Sequence, residues 1–211
     1  LRNFDHEATL EAMIESAMQD HLGLDTYRAE GYIALEQENE SVSKTLEYAY
    51  DDWCIAVMAD DMGKRDIAEK FYRRSLNYLN LFDTETGFMR GKKFGAWVKP
   101  FDPNEVNSIY TEANAWQYTF FVPHDINGMI NLMGGDTEFV KNLDGLFSAS
   151  TDLSGRHQPD ITGMIGQYAH GNEPSHNFTY LYNYAGRAFK TQNKIRQIMD
   201  DLYSSARNGL C

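Results

Sequence analysis

The stretch SVSKTLEYAYDDWCIAVMADDMGKRDIAEKFYRRSLNYL, residues 41–79, decides the fold class. Leu46, Tyr50, Trp53 and Val57 recur at the three- and four-residue spacing of one helix face. Ser41 or Ser43 can cap that helix, and Gly63 ends it. Ile67, Phe71, Leu76 and Leu79 then mark a second helix. Two helices joined by a short glycine turn make an antiparallel hairpin. Outward from it the periodicity continues. Residues 6–19 place Ala8, Leu10, Ala12, Met13, Ile14 and Ala17 at helical spacings with no Gly or Pro. Residues 21–39 read as mostly loop, with Tyr32 to Leu35 briefly extended. Further helices are expected at 114–121, after Asp125, and over 136–147, 175–189 and 192–206.

Two long loops, 80–110 and 148–170, interrupt this pattern. Gly91, Gly95, Pro100 and Pro103 break the first, and extended pieces are expected only near Phe88 and Trp97. Loops of such length inside a compact domain tend to be functional. Residues 58–81 have the rhythm of a helical repeat, but no second copy follows, so a solenoid is the weaker reading. The fold class expected is all-α, almost all helix, built from sequential antiparallel helix hairpins.

Composition bounds the rest. The chain has 211 residues, 19 of them Lys or Arg and 31 Asp or Glu, for a formal charge of −12. That balance gives no phosphate-binding surface, so nucleic acid is excluded as an expected partner. No run of about 18 apolar residues exists to span a membrane. Two cysteines cannot build a disulfide framework, and aromatics at 13% are too many for a disordered chain. The chain opens at Leu1 without Met and stops at Cys211, after an Asn208-Gly209-Leu210 turn. Both ends read as those of a segment from a longer protein, and oligomeric state is left open.

Chemistry concentrates in GMIGQYAHGNEPSHNFTYLYNYAG, residues 163–186. His170, Asn172, Glu173, Ser175 and His176 crowd between Gly171 and Pro174. Pro174 suits a first helical position and biases Glu173 towards extended backbone, so Glu173 is expected on an elbow able to aim one carboxyl into a cleft. The bland alternative is an ordinary helix start, with Glu173 favoured by the macrodipole. A metal pair at His170 and His176 is the weaker reading, because six residues across a Gly and a Pro is no established ligand spacing. In residues 41–53, Lys44, Glu47, Tyr48, Asp51 and Asp52 share one helix face; such a face is either solvated or a cleft wall for a polyol. In YTEANAWQYTFFVPHD, residues 110–125, Glu112, Asn114, Trp116, Gln117 and His124 offer hydroxyl partners and a flat ring for a sugar. The alternative makes those aromatics core.

Five segments, ESVSKTLEYAYDDWCIA (40–56), TGFMRG (86–91), EANAWQYTFFVPHD (112–125), GMIGQYAHGNEPSH (163–176) and YLYNYAG (180–186), closely resemble glycoside hydrolase family ninety-two. The resemblance runs in order over nearly the whole chain from Tyr27. This family comprises calcium-dependent exo-acting α-mannosidases, best known from gut Bacteroidetes, which combine an N-terminal β-sandwich with a catalytic (α/α)6 toroid. The resemblance implies that residues 1–211 are a fragment of that toroid, lacking the sandwich and the remainder of the catalytic domain. It implies Glu173 as the general acid of an inverting exo-α-mannosidase acting on terminal α-mannosyl linkages of glycans, α-1,2 foremost. The base would come from aspartates further along, and a calcium ion would bind mannose O2 and O3 at a site incomplete in this chain. The isolated chain is then expected to be inactive, and its parent to be periplasmic or extracellular.

Lys44 sits where many members carry Arg or Lys in the substrate pocket. Asn177 replaces a second His, and Ala113 replaces a Gly; neither touches the acid. The candidate substrate-binding residues are Lys44, Asp51, Glu112, Asn114, Trp116, His124, His170, Asn172 and His176, the metal ligands being unassigned. Lys44, Asp51, Trp116, His170 and Glu173 are expected to converge on one concave end of the array. A helical-repeat interaction module and a non-catalytic glycan-binding module are the alternatives.

Overall fold

The computed structural model describes residues 3–207 and residue 209. The turn expected at Asn208–Leu210 therefore lies, apart from Gly209, outside the described residues, as does Cys211. In chain order the elements are α1 (His6–Ala17), α2 (Leu24–Glu30), α3 (Ser41–Asp61), α4 (Arg65–Ser75) and a 3-10 segment (Leu76–Leu81). The paired strands β1 (Phe82–Asp83), β2 (Phe88–Met89), β3 (Lys92–Lys93), β4 (Ala96–Trp97) and β5 (Glu105–Val106) follow. Then come α5 (Ala115–Thr119), α6 (Ile126–Leu132), α7 (Asp136–Ser148), β6 (Ser154–Gly155), β7 (Met164–Ile165) and β8 (Tyr168–Ala169). Two 3-10 segments (Glu173–Ser175 and Phe178–Asn183) and α8 (Ala188–Leu202) complete the order. About 51% of the chain is helical, so the expectation of almost all helix is corrected; the two long loops, expected as loop, carry short strand pairs beyond the extended pieces expected near Phe88 and Trp97. The chain divides into two compact units, residues up to 82 with 90–99, and residues 83–89 with those from 100 onward.

In the first unit, Asp5 caps α1 by accepting the Ala8 N–H at 3.1 Å. Leu10 of α1 packs with Ile55, Ala56 and Ala59 of α3 and with Ala68 and Phe71 of α4. Helices α3 and α4 pack along each other across residues 62–64, as the hairpin reading expects. Three details differ. Helix α3 starts from Glu40 in the left-handed region (φ 58°) with no side-chain cap, and Ser41, expected as a cap, is buried. Tyr50, expected on the apolar stripe, is exposed and stacks with Trp53 at 6.1 Å, while Asp52, expected on the polar face, is 1% exposed. Residues 24–30, expected as loop, form α2, bounded by left-handed Gly23 and Gly31; Tyr32 to Leu35 form no strand.

Asp52 is a buried charge of this unit. Arg74 reaches it through Nη2 at 2.9 Å and Nε at 3.0 Å, and the Tyr27 hydroxyl donates to it at 2.8 Å. Arg74 also lies over the Phe71 ring at 4.8 Å. Burial pushes the Asp52 carboxyl up to about 6, although Arg74 and Tyr27 act in the opposite direction. Removing one partner of such a pair costs about 3–5 kcal/mol, because the other charge is left stranded.

The second unit has an aromatic core. Phe139, Leu143, Leu146 and Phe147 line the buried stripe of α7. Phe120 meets Phe139 at 6.1 Å and Phe178 at 5.8 Å, both edge-on or tilted, the geometry aromatic quadrupoles favour. Asn114 caps α5 in a reciprocal capping box with Gln117, and Asp125 caps α6 through the Gly128 N–H at 2.9 Å. The continuous helix expected over 175–189 is replaced by the second and third 3-10 segments, and α8 starts earlier and ends earlier than expected. Pro174 removes a backbone donor there, and a run rich in aromatics does not by itself distinguish 3-10 from α-helix.

Candidate functional site

The loop carrying Glu173 is built on a two-residue hairpin. Strands β7 and β8 pair antiparallel, Met164 with Ala169 and Ile165 with Tyr168. Gly166 turns the chain at φ 60°, and a Cβ there would stand 2.5 Å from the Leu146 carbonyl oxygen, so only glycine fits. Gln167 follows, fully buried. Its Oε1 accepts from Asn114 Nδ2 at 2.8 Å, and its Nε2 donates to the Ser150 and Asp152 carbonyls at 2.6 and 3.1 Å. Its own carbonyl accepts from Gln117 Nε2 at 3.1 Å, and its N–H donates to Leu146. Every polar group of Gln167 is thus engaged, and α5, α7 and the 148–170 loop are tied to one residue.

From β8 the chain runs into the candidate motif. The N–H groups of His170 and Gly171 donate to the Gly163 and Thr162 carbonyls, each at 3.1 Å. Asn172 is extended (φ −111°, ψ 121°) and buried, and its Nδ2 donates to the Glu112 carbonyl at 3.1 Å. Glu112 itself is in the left-handed region at φ 52°, an uncommon setting for a residue with a long side chain. Glu173 then opens the 3-10 turn with Pro174 behind it. The elbow is present, but the extended residue is Asn172, not Glu173. The Glu173 side chain is exposed, and α5 packs against its turn. A three-residue turn offers a negligible dipole, so the ordinary helix start, with Glu173 favoured by a macrodipole, is not what the structure shows.

Both ring nitrogens of His170 are engaged inside the protein. The Tyr168 hydroxyl is 2.7 Å from Nδ1, and the Tyr203 hydroxyl is 2.6 Å from Nε2. His176 lies 4.9 Å away, ring to ring, and its Nε2 donates to the His170 carbonyl at 2.8 Å. Burial, and then His176, push the His170 imidazole below its ordinary value. Ser175 Oγ and Asn177 Oδ1 are buried atoms without a hydrogen-bond partner.

The remaining candidates divide between the units. Asn114 is wholly committed to the capping box and to Gln167. Trp116 donates its indole N–H to Asn104 at 2.9 Å and meets Phe88 edge-on at 4.7 Å. With Phe88, Lys141 and Asn142 it lines a cavity of about 320 Å³. His124 is half-buried at the start of the turn into α6. In the first unit, Lys44 is half-buried and pairs with Glu38 at 2.7 Å. Asp51 is on the exposed side of α3, raised by desolvation. It lines a cavity of about 220 Å³ with Tyr48, Cys54, Arg74 and the apolar wall of Met13 and Leu24. Gln167, Tyr168 and Tyr203 were not singled out from the sequence; Tyr203 is 33 residues from its partner His170, and no local spacing signals such a pair.

Among the described residues no group of three or more His, Cys, Asp or Glu side chains is placed to hold a metal ion. Calcium takes about six to eight oxygens, so these side chains do not by themselves fit that ion. No described helix is long and apolar enough to cross a membrane.

A family GH92 α-mannosidase from Bacteroides thetaiotaomicron, BT3965, solved in complex with mannoimidazole, superposes with a TM-score of 0.91 at 42% identity, over 99% of this chain and 29% of that one. The GH92 inverting mannosidase BT2199 of the same organism gives a TM-score of 0.87 at 38% identity, over 100% of this chain and 31% of that one. A protein of Arthroderma benhamiae described as an uncharacterized secreted glycosidase is 28% identical over 249 residues, covering 99% of this chain and 30% of that protein. The chain thus spans about 30% of the length of these relatives. The glycosyl hydrolase family 92 catalytic domain matches residues 1–211, and the chain belongs to that family.

Proposed function

We propose that this chain is part of the catalytic domain of an inverting exo-α-mannosidase, in which Glu173 is the general acid. The observation that carries the reading is the exposed Glu173 carboxylate on a turn whose approach is fixed residue by residue, from Gly166 to Asn172. Proton transfer to a leaving group needs a carboxyl held within hydrogen-bond reach, and such a support supplies that. Family membership and the relatives described as an α-mannosidase and an inverting mannosidase support the substrate class. Terminal α-mannosyl linkages of glycans, α-1,2 foremost, are the proposed substrates.

Inversion requires a base about 6.5–9.5 Å from the acid, with a water between them. We assign that base, and the oxygens of a calcium site, to parts of the parent beyond these residues. The helices are proposed to form part of an (α/α)6 toroid that a β-sandwich precedes. The parent is proposed to be periplasmic or extracellular, and the description of the fungal relative as secreted supports export.

The test is Glu173→Gln in the full-length parent. Turnover of an alkyl α-mannoside or mannobiose should fall about 10²–10⁴-fold, the usual worth of a general acid. An aryl mannoside with an activated leaving group, which needs little protonation, should lose far less. Equal losses on both substrates would remove Glu173 from the acid role. The isolated chain, with calcium and mannobiose, should release no mannose.

A further inference from the structure

His170 stands immediately before the Gly171–Asn172–Glu173 run, and its ring is a side-chain anchor of that run, beside the Asn172 amide. A neutral imidazole has one N–H and one lone pair. With a tyrosine hydroxyl on each nitrogen, one hydroxyl donates and the other accepts, so neither nitrogen is left for a substrate. The two hydroxyls have different origins. Tyr168 is 1% exposed and belongs to the same hairpin, two residues away. Tyr203 is the residue that ends α8, in extended conformation (φ −123°, ψ 143°), and it reaches back across 33 residues of chain. Its bond joins the last turn of α8 to the base of the Glu173 loop. The His170 carbonyl, fixed by the same anchoring, receives the His176 Nε2–H. The chain between His170 and the turn is otherwise held by single backbone bonds and by the Asn172 amide.

We propose that Tyr203 is a positioning residue for Glu173: its hydroxyl, bonded to His170 Nε2, fixes the loop that presents the carboxyl to the leaving-group oxygen. The proposal rests on the reading of Glu173 as general acid. Tyr203 does not touch the substrate. Its loss leaves the sugar bound and the acid chemically intact, but frees the His170 ring to rotate and the Glu173 carboxyl to leave its line.

The experiment uses the full-length parent and the Tyr203→Phe variant, with Glu173→Gln measured alongside. The Michaelis parameters are compared for an alkyl α-mannoside and for an activated aryl α-mannoside. Misplacing an acid worth 10²–10⁴-fold should cost about tenfold in kcat on the alkyl substrate. On the aryl substrate kcat should fall less than about threefold, and KM should stay nearly constant for both. The ratio of the two kcat values does not depend on the fraction of folded enzyme, so lowered stability cannot imitate the result. Tyr203→Phe lowering both substrates equally, or neither, overturns the proposal while Glu173 keeps its role, provided that Glu173→Gln separates the two substrates. Glu173→Gln failing to separate them overturns the acid reading and this inference together.

Discussion

Replacing Gln167 by Ala tests whether the second unit is held by its amide network. The substitution deletes three side-chain hydrogen bonds, the two donated to the Ser150 and Asp152 carbonyls and the one accepted from Asn114. Ser150 and Asp152 are exposed, so their carbonyls regain water, and each lost bond costs the ordinary net value of about 0.5–1.5 kcal/mol. Asn114 is 0% exposed; its Nδ2 has nowhere to turn, and an orphaned buried donor costs about 1–3 kcal/mol. The sum is roughly 3 kcal/mol or somewhat more. For a chain of this size that is a fall in Tm of about 6–12 °C, to be read by thermal unfolding followed by near-ultraviolet circular dichroism, since Tyr168 and Phe147 report on the same region. Gln167→Glu supplies an internal control. It keeps an acceptor for Asn114 but, once ionised, aims a carboxylate at two carbonyl oxygens. Burial and the two carbonyl oxygens hold the folded carboxyl above its ordinary value of about 4.3, so the variant's stability should recover as pH falls towards that value, where the carboxyl regains a proton to donate. A Gln167→Ala protein within 1 kcal/mol of the native chain, or a Gln167→Glu protein whose stability varies with pH no more steeply than that of the native chain, would refute the reasoning.

Two further outcomes follow from the packing. The Asp52 carboxyl, pushed up to about 6 by burial, binds its proton more tightly folded than unfolded. It therefore contributes stability at low pH that is lost as pH rises between about 4 and 6, an amount of roughly 3 kcal/mol; urea unfolding at several pH values should show that slope in the native chain and a flatter one in Asp52→Asn. Gly171→Ala puts a Cβ against Thr162 Oγ1 and 3.1 Å from the Asp160 carbonyl oxygen, so it should lower alkyl-mannoside turnover of the parent, and adding Thr162→Gly should restore part of it.

What was legible in the sequence were the features that a local rule governs. The α3–α4 hairpin declares itself through apolar spacing and a glycine between its helices, and Asn114 and Asp125 cap where cap chemistry says they should. The misplaced face of α3 is a matter of angle. At about 100° per residue, Asp52 lies only about 20° round the helix from buried Thr45 and Ala59, whereas Tyr50 lies about 160° from it. The pattern of charge hid this, because Asp52 is buried only in company with Arg74 and Tyr27, which arrive from other helices. Helix α2 has seven residues, too few for a period to show. For the site, the motif pointed to Glu173 and its neighbours, but the loop is also held by Gln167 and Tyr203, whose partners are distant in sequence, and by Tyr168, which meets His170 only because the hairpin turns it there. A hydrogen bond between residues 33 apart leaves no trace in spacing.

The two units trade the chain between them. It passes from the first to the second after residue 82, returns at 90, and leaves again after 99. No single peptide bond separates them, so one proteolytic nick at any of these crossings leaves the pieces still threaded through each other's sequence. A ribosome emitting this chain cannot finish the first unit at residue 82. It must first release the 83–89 segment, which belongs to the unit still to be made, and then the β3–β4 hairpin that completes the unit already begun. During synthesis the first unit remains open until residue 99 has emerged, and the seven-residue segment waits for partners more than a dozen residues downstream. A gene split for complementation at the midpoint of the chain would cut through the second unit alone, whereas a split at 82 would strand a hairpin of the first unit on the wrong half.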